Sequence, residues 1–247
     1  MLSGEKMKEN LKVSARLFLK LVIVNLMCAI IVLSVNVLAT GLFSKEVGYT
    51  AIGVTEGSQE TETLYTHRFE DGEDTERAKY EAKGYKITEF PLKELDKKIQ
   101  KGATVFSQFL CIVFLSTFIY PMIWQLGFND SNKVKFKHKT ADKLTGIKIG
   151  LIAIIPAIAL IIFLACAKGV VQNLPLALYK FVNGALYGFI DLADGNAMVF
   201  GDLNILNFVF MAAVQLIIPL IAHFSYILGF KNISVGEMLV YKKKKEK

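Results

Sequence analysis

At 247 residues, 53% of them hydrophobic and with a mean hydropathy of +0.42, the chain is too apolar, in runs too long, for an ordinary soluble domain. The net charge of +7 does not mark a nucleic-acid-binding surface: 17 of the 29 Lys and Arg fall in residues 1–20, 127–148 and 231–247, beside only six acidic residues, as expected of segments flanking membrane spans on the cytoplasmic side. The three cysteines, Cys28, Cys111 and Cys166, all lie within apolar runs, which excludes a disulfide framework outside the membrane and assigns them the role of small apolar filler.

Taken in order, residues 1–16 read as a basic cytoplasmic segment, with Leu11, Ala15 and Phe18 at helical spacing leading into transmembrane helix 1 over 17–43. Its apolar stretch exceeds the 7–15 residues of a signal-peptide core, so a retained anchor is expected despite the small-residue motif Val37-Leu38-Ala39. Residues 44–102 read as a small extracytoplasmic α+β domain. "VGYTAIGVTE" and "TLYTHRFED" alternate as strands do, and Asp74 is placed to cap a short helix through Lys83. Arg77 and Glu81 would pair on that helix, and Gly84 would end it. "YKITEF" resumes strand character, and Pro91 is expected to open a polar helix into the next span. Two or three strands carrying one helix is too small a unit to fold robustly alone.

Transmembrane helix 2 is expected over 103–126, followed by a basic cytoplasmic loop at 127–146. The loop's "VKFKHK" offers Lys133, Lys135, Lys137 and Lys139 to anionic lipid headgroups or an acidic partner. Transmembrane helix 3 follows over 147–167. Residues 168–207 read as an extracytoplasmic segment holding one interfacial or re-entrant helix that starts near Pro175. Transmembrane helix 4 spans 208–230, and a basic cytoplasmic tail occupies 231–247. The fold class is thus an all-α transmembrane four-helix bundle with a small α+β insertion between helices 1 and 2, multi-pass in the plasma membrane, with both termini cytoplasmic.

The stretch "LYTHRFEDGEDTERAKYEAKGY" resembles one in uncharacterised small bacterial four-helix membrane proteins that carry an extracytoplasmic insertion. The resemblance covers about a tenth of the chain and implies no activity.

Two apolar runs close on nearly the same word, "WQLGF" at 124–128 and "YILGF" at 226–230. An aromatic at the membrane interface and a Gly ending the helix there account for both. A tandem duplication of helical hairpins is the alternative source.

Asp, Glu, Lys and Arg are absent from the interiors of the four runs, which counts against proton-coupled transport and intramembrane proteolysis. Asn25, Gln108, Gln215 and His223 remain as candidate interhelical polar contacts. "EDGEDTE" at 70–76 lacks the ligand order of a calcium loop and reads as a solvated acidic turn. No triad, metal set or phosphate loop appears, so no catalytic residue, metal or cofactor is expected. The functional expectation is a non-enzymatic accessory or scaffold subunit working through its extracytoplasmic domain. Its partners would be the anionic bilayer and another protein or further copies of itself, and not nucleic acid. The alternative is a small oligomeric transporter or channel built from two duplicated hairpins.

Overall fold

A computed structural model describes residues 2–55, 61–72, 74–136, 142–193 and 197–235. The chain is mostly helical and divides into two compact units, with boundaries after Leu33 and after Thr104.

The helical unit is built on stretches of apolar sequence. Helix α1 runs unbroken over Leu2–Phe43, its buried stripe Leu17, Leu21, Val24, Cys28 and Val32 stepping by three or four. The opposite face is apolar too: Ile23 and Ile30 are more than half exposed. Helix α3, Lys97–Lys135, repeats the pattern, with Cys111, Leu115, Ile119 and Ile123 inside and Phe109 outside. A helix hydrophobic all round belongs in a core or in hydrocarbon. Among the described residues four helical stretches are long and apolar enough to cross a membrane, at Met7–Phe43, Lys97–Lys135, Thr145–Cys166 and Ile205–Phe230. These features are compatible with a multi-pass membrane protein.

The last of the four stretches is broken, contrary to the single helix expected over 208–230. It comprises α8, Ile205–Val214, and α9, Ile217–Phe230, with a turn at Gln215–Leu216. Pro219 explains the break, because it has no N–H for the Gln215 carbonyl and its ring crowds that oxygen. Below the break α9 packs closely on α4, Thr145–Cys166, through Gly146 and Gly150. A Cβ on Gly150 would stand 2.5 Å from Pro219 Cα, and one on Gly146 2.6 Å from Tyr226 Cβ. Small residues four apart let helix backbones approach in this way.

The repeated word is a crossing. A side chain on Gly127 would collide with the Tyr226 carbonyl, and one on Gly229 with the Trp124 carbonyl. Each word's glycine therefore lies against the other word's aromatic residue. The polar hydrogens are reciprocal as well. Trp124 Nε1 donates to Ile233 O at 2.7 Å, and Tyr226 Oη donates to Asp130 Oδ2 at 2.9 Å, so each aromatic grips the chain just beyond the opposite word. Gly127 does not end its helix as expected. Helix α3 continues through it to Lys135, burying Asp130 and Ser131 within the segment expected as a loop. Cys28 and Cys111 are buried and bond each other's carbonyls, whereas Cys166 is exposed and is not filler.

Helix α9 ends in a Schellman motif: Ile233 N donates to Leu228 O, Asn232 N donates to Gly229 O, and Asn232 has φ 57°. Asn232→Gly should leave the melting temperature unchanged or slightly higher. Asn232→Val should cost about 1–2 kcal/mol, the ordinary penalty for a left-handed non-glycine residue, and an unchanged melt for the valine variant would refute this cap.

The second unit is an antiparallel sheet in the order β2-β1-β3. Its strands are β1, Ser44–Thr55, β2, Thr61–Arg68, and β3, Tyr85–Leu95. Pro91 does not open a helix: β3 runs through it, paired with Tyr49, to Leu95. An edge strand tolerates proline, whose missing donor falls on the free side. Between β2 and β3 lies α2, Glu76–Glu81. Asp74 Oδ1 accepts the amides of Glu76 and Arg77 at 3.0 and 3.2 Å, and Gly84, at φ 83°, ends the turn. Arg77 pairs with Glu81 at 2.9 Å and reaches Glu89 on β3 at 2.6 Å.

Asp74 Oδ2 also accepts the hydroxyls of Tyr49 and Tyr65, tying the start of α2 to the sheet. Burial pushes this carboxyl up, but the two tyrosines and two amides outweigh it and hold Asp74 at about 2. Tyr49 is pushed up to about 12, chiefly by its bond to Asp74. Tyr65 is raised by burial first and Asp74 second. A depressed folded value means that the stabilisation is complete above the ordinary carboxylate value of about 3.9. It is lost as pH falls through about 2. Pepsin cleavage within residues 74–84 should therefore accelerate relative to the rest of the chain over this window. Asp74→Asn should flatten the response. Asp74→Ala should cost about 1 kcal/mol through the lost cap.

Candidate functional site

The most elaborate polar arrangement lies in the helical unit, where residues 168–207 hold not one helix but several short pieces. They are α5, Lys168–Val171, α6, Leu176–Val182, a 3-10 turn at Gly184–Leu186, α7, Tyr187–Ala193, and a 3-10 turn at Phe200–Asp202. Leu176 N donates to Met198 O at 2.9 Å, Phe200 N to Leu174 O at 3.2 Å and Gly201 N to Gln172 O at 2.9 Å. These bonds close a neck through which the chain enters and leaves. Between them α6 and α7 form a hairpin whose tip is Asn183–Gly188.

The local sequence dictates the tip. Asn183-Gly184 is a helix-stopping pair, and its neighbours supply aromatic and aliphatic side chains that bury. Asn183, Gly184, Ala185 and Leu186 are all buried. A helix broken in a buried place leaves backbone groups that need partners. Two amide side chains, from α3 and α1, meet this need, and a third bonds the side chain of Asn183 at the tip. Gln108 Nε2 on α3 donates to Ala185 O at 2.9 Å, while its Oε1 accepts from Gly188 N at 2.7 Å. Asn25 Oδ1 on α1 accepts from Ala185 N at 3.2 Å. Gln215 Nε2, at the break between α8 and α9, donates to Asn183 Oδ1 at 3.1 Å, and Asn183 in turn donates to Tyr179 O. Gly184 lies against the α1 backbone at Asn25 and Ala29, and a Cβ on Gly188 would stand 2.9 Å from Gln108 Cβ.

Asn25, Gln108 and Gln215 thus converge on one hairpin rather than bonding from long helix to long helix, because the hairpin holds the orphaned backbone. His223 does not join them. Its Nδ1 is buried and has no hydrogen-bond partner among the described residues. Lys133 pairs with Glu9 at 3.6 Å at a half-exposed site, and Lys135 lies exposed in the last turn of α3. Lys137 and Lys139 lie outside the described residues.

Sequence reasoning missed the hairpin's own charged pair. Lys180 is buried, bonds Asp191 Oδ1 at 2.7 Å and stands 5.6 Å from the centre of the Tyr187 ring. A buried ammonium persists only when paired in this way. The two residues lie on different helices, α6 and α7, so no spacing along a single helix announced them. Asn183, Gly184 and Gly188 carried a signal in "NGALYG", an Asn-Gly break inside an amphipathic run. Asp130 had none, lying in an apparently polar loop.

Among the described residues no three His, Cys, Asp or Glu side chains gather to hold a metal ion. Chemically the hairpin is a tie: neutral amides saturate a buried chain reversal. No protein-family model matches this chain, and no curated protein or solved structure matches it either.

Proposed function

We propose that this chain is a non-enzymatic multi-pass membrane protein, with both termini cytoplasmic, that serves as an accessory or scaffold subunit. Its three-stranded sheet is the extracytoplasmic docking module. The carrying observation is how that sheet is covered. Tyr49, Tyr65 and Glu89 share the face engaged by Asp74 and α2. On the other face the register aligns Thr50, Thr66 and Phe90, then Ile52, Thr63 and Thr88, and Phe90 is 52% exposed. The two edges also differ. The β3 edge carries Pro91 and the charges Lys86, Glu89, Lys93 and Glu94, devices that blunt strand pairing, whereas β2 contains no proline. The occupant that fits is an extended segment of another protein, added along β2 with its apolar side chains on the threonine-rich face.

Extraction of the tagged chain from its native membrane in mild detergent, followed by mass measurement of the intact complex, tests this. A stoichiometric second protein that is lost on Thr66→Lys and Thr88→Lys supports the reading. A chain that runs alone or only with copies of itself sinks it.

A second reading, a small oligomeric transporter or channel, is favoured by two observations. Helix α8–α9 is discontinuous beside an amide-lined hairpin, and the two glycine words meet reciprocally, as two-fold-related hairpins would. A pure homo-oligomer with solute flux after reconstitution would move the weight there.

A further inference from the structure

Helix α1 is unbroken over Leu2–Phe43, so its basic first turns continue along the axis of its apolar stretch. Residues 21–43 carry no charge. They rise roughly 34 Å, enough for the whole hydrocarbon core, which sets Lys20 at its boundary. Lys12 and Lys8 stand about 12 and 18 Å farther along the helix, beyond a headgroup layer roughly 5–8 Å deep. One side of this projection is anchored. Glu9 pairs with Lys133 on α3 at 3.6 Å, and Ser14 Oγ donates to Ile149 O on α4 at 3.1 Å. The other side carries two adjacent ridges of residues four apart. Lys8, Lys12, Arg16 and Lys20 form one, all exposed and, among the described residues, none with an ion-pair partner. Met7, Leu11 and Ala15 form the other, with Met7 and Leu11 more than half exposed.

We infer that these paired ridges dock an acidic amphipathic helix of another protein, an inference that rests on the helical unit being membrane-embedded but not on the sheet's docking role. Charge complementarity selects the occupant. A helix with Asp or Glu every fourth residue repeats its charges at the same spacing of about 6 Å as the lysine ridge. An apolar ridge beside those carboxylates would cover Met7 and Leu11 while the carboxylates meet Lys8, Lys12 and Arg16. The chain's own segments 137–141 and 236–247 are net basic and are repelled. A second copy presents the same cations and is repelled as well. Anionic lipid meets Lys20 and Arg16, but its surface lies across the helix axis and ends before Lys8. Cations beside a span follow from topology alone. An exposed apolar ridge standing outside the bilayer does not, and its pairing with unpartnered cations is what a partner helix would read.

The test uses the full chain in phosphatidylcholine nanodiscs and a fluorescent synthetic helix that carries a leucine ridge beside a glutamate ridge. Its scrambled isomer, equal in composition, is the control peptide. The ordered helix should bind at least about ten-fold more tightly than the scramble. Lys8→Glu and Lys12→Glu should each weaken it about ten-fold. Leu11→Ser, which leaves every charge in place, should weaken it comparably, a response that diffuse attraction between opposite charges would not give. Lys98→Glu, at an exposed lysine near the start of α3, should change nothing. The substituted side chains are exposed, and melting curves identify any variant that fails to fold. Equal binding of the two peptides, or unaltered binding by Leu11→Ser, would overturn the proposal. So would phosphatidylglycerol nanodiscs that shield Lys8 and Lys12 from amine labelling as fully as Lys20, since lipid would then be the occupant. A dimer lost on Leu11→Ser would assign the ridges to a second copy and overturn it too. A chain that stays monodisperse without detergent would instead refute the membrane reading itself.

Discussion

Gly127→Ala and Gly229→Ala should each strip about 3 kcal/mol or more from the helical unit, the upper end of the range for overpacking. The added methyl meets a backbone carbonyl, of Tyr226 in one case and Trp124 in the other, and a carbonyl cannot rotate aside as a side chain does. The crossing would have to open, and the bonds from Trp124 to Ile233 and from Tyr226 to Asp130 would lengthen together. The double variant should therefore cost clearly less than the sum of the singles, since whichever comes first already separates the helices. Thermal unfolding of the four proteins in one detergent closes this cycle. Additive losses would mean that the two words sit in separate contacts. Gly102→Ala, where a Cβ meets nothing within 4 Å, is the matched control and should be neutral or slightly stabilising.

The second large effect is expected at Gln108. Gln108→Leu keeps the bulk but removes the donor to Ala185 O and the acceptor for Gly188 N, leaving two buried backbone groups unpaired. At about 1–3 kcal/mol for each orphaned group the loss should be near 3 kcal/mol. Gln108→Glu should be worse: it keeps an acceptor for Gly188 but turns a second oxygen toward the Ala185 carbonyl and buries a charge. Gln108→Asn should recover little, because the shorter arm cannot reach both partners. Protease accessibility of residues 183–188 separates undocking of the hairpin from general unfolding. Release of the hairpin with the long helices intact is the expected signature, and a hairpin still protected in Gln108→Leu would deny the amide its role. Asn25→Ala, which loses one weaker bond to Ala185 N, should cost about 1 kcal/mol.

The parts of the fold governed by local chemistry could be read from the residues. The four apolar stretches appear where hydrophobicity alone predicts them, because length and composition suffice to make a helix that nothing but hydrocarbon or a core will accept. The turn from Asp74 to Gly84 also followed from neighbours, since a carboxylate cap, an i,i+4 pair and a positive-φ glycine act within a dozen residues. Pro91 misled because proline is compatible both with a helix start and with an edge strand, and only pairing to Tyr49 distinguishes them. Asn25, Gln108 and Gln215 were identifiable as costly polar groups in apolar surroundings. Their common destination was not, because it lies 77 residues beyond Gln108 in the chain.

By itself, then, the sequence determined which segments are apolar helices, which lie among flanking lysines, and where the small sheet begins and turns. The tertiary structure alone decided that the hairpin tip is the meeting point of three amides. It also decided that "WQLGF" and "YILGF" are two halves of one crossing and that a turn breaks the last apolar stretch just before Pro219. The physical reason is range. Capping, propensity and hydropathy act over a few residues, while close backbone approach and the saturation of orphaned amides depend on which distant elements come together.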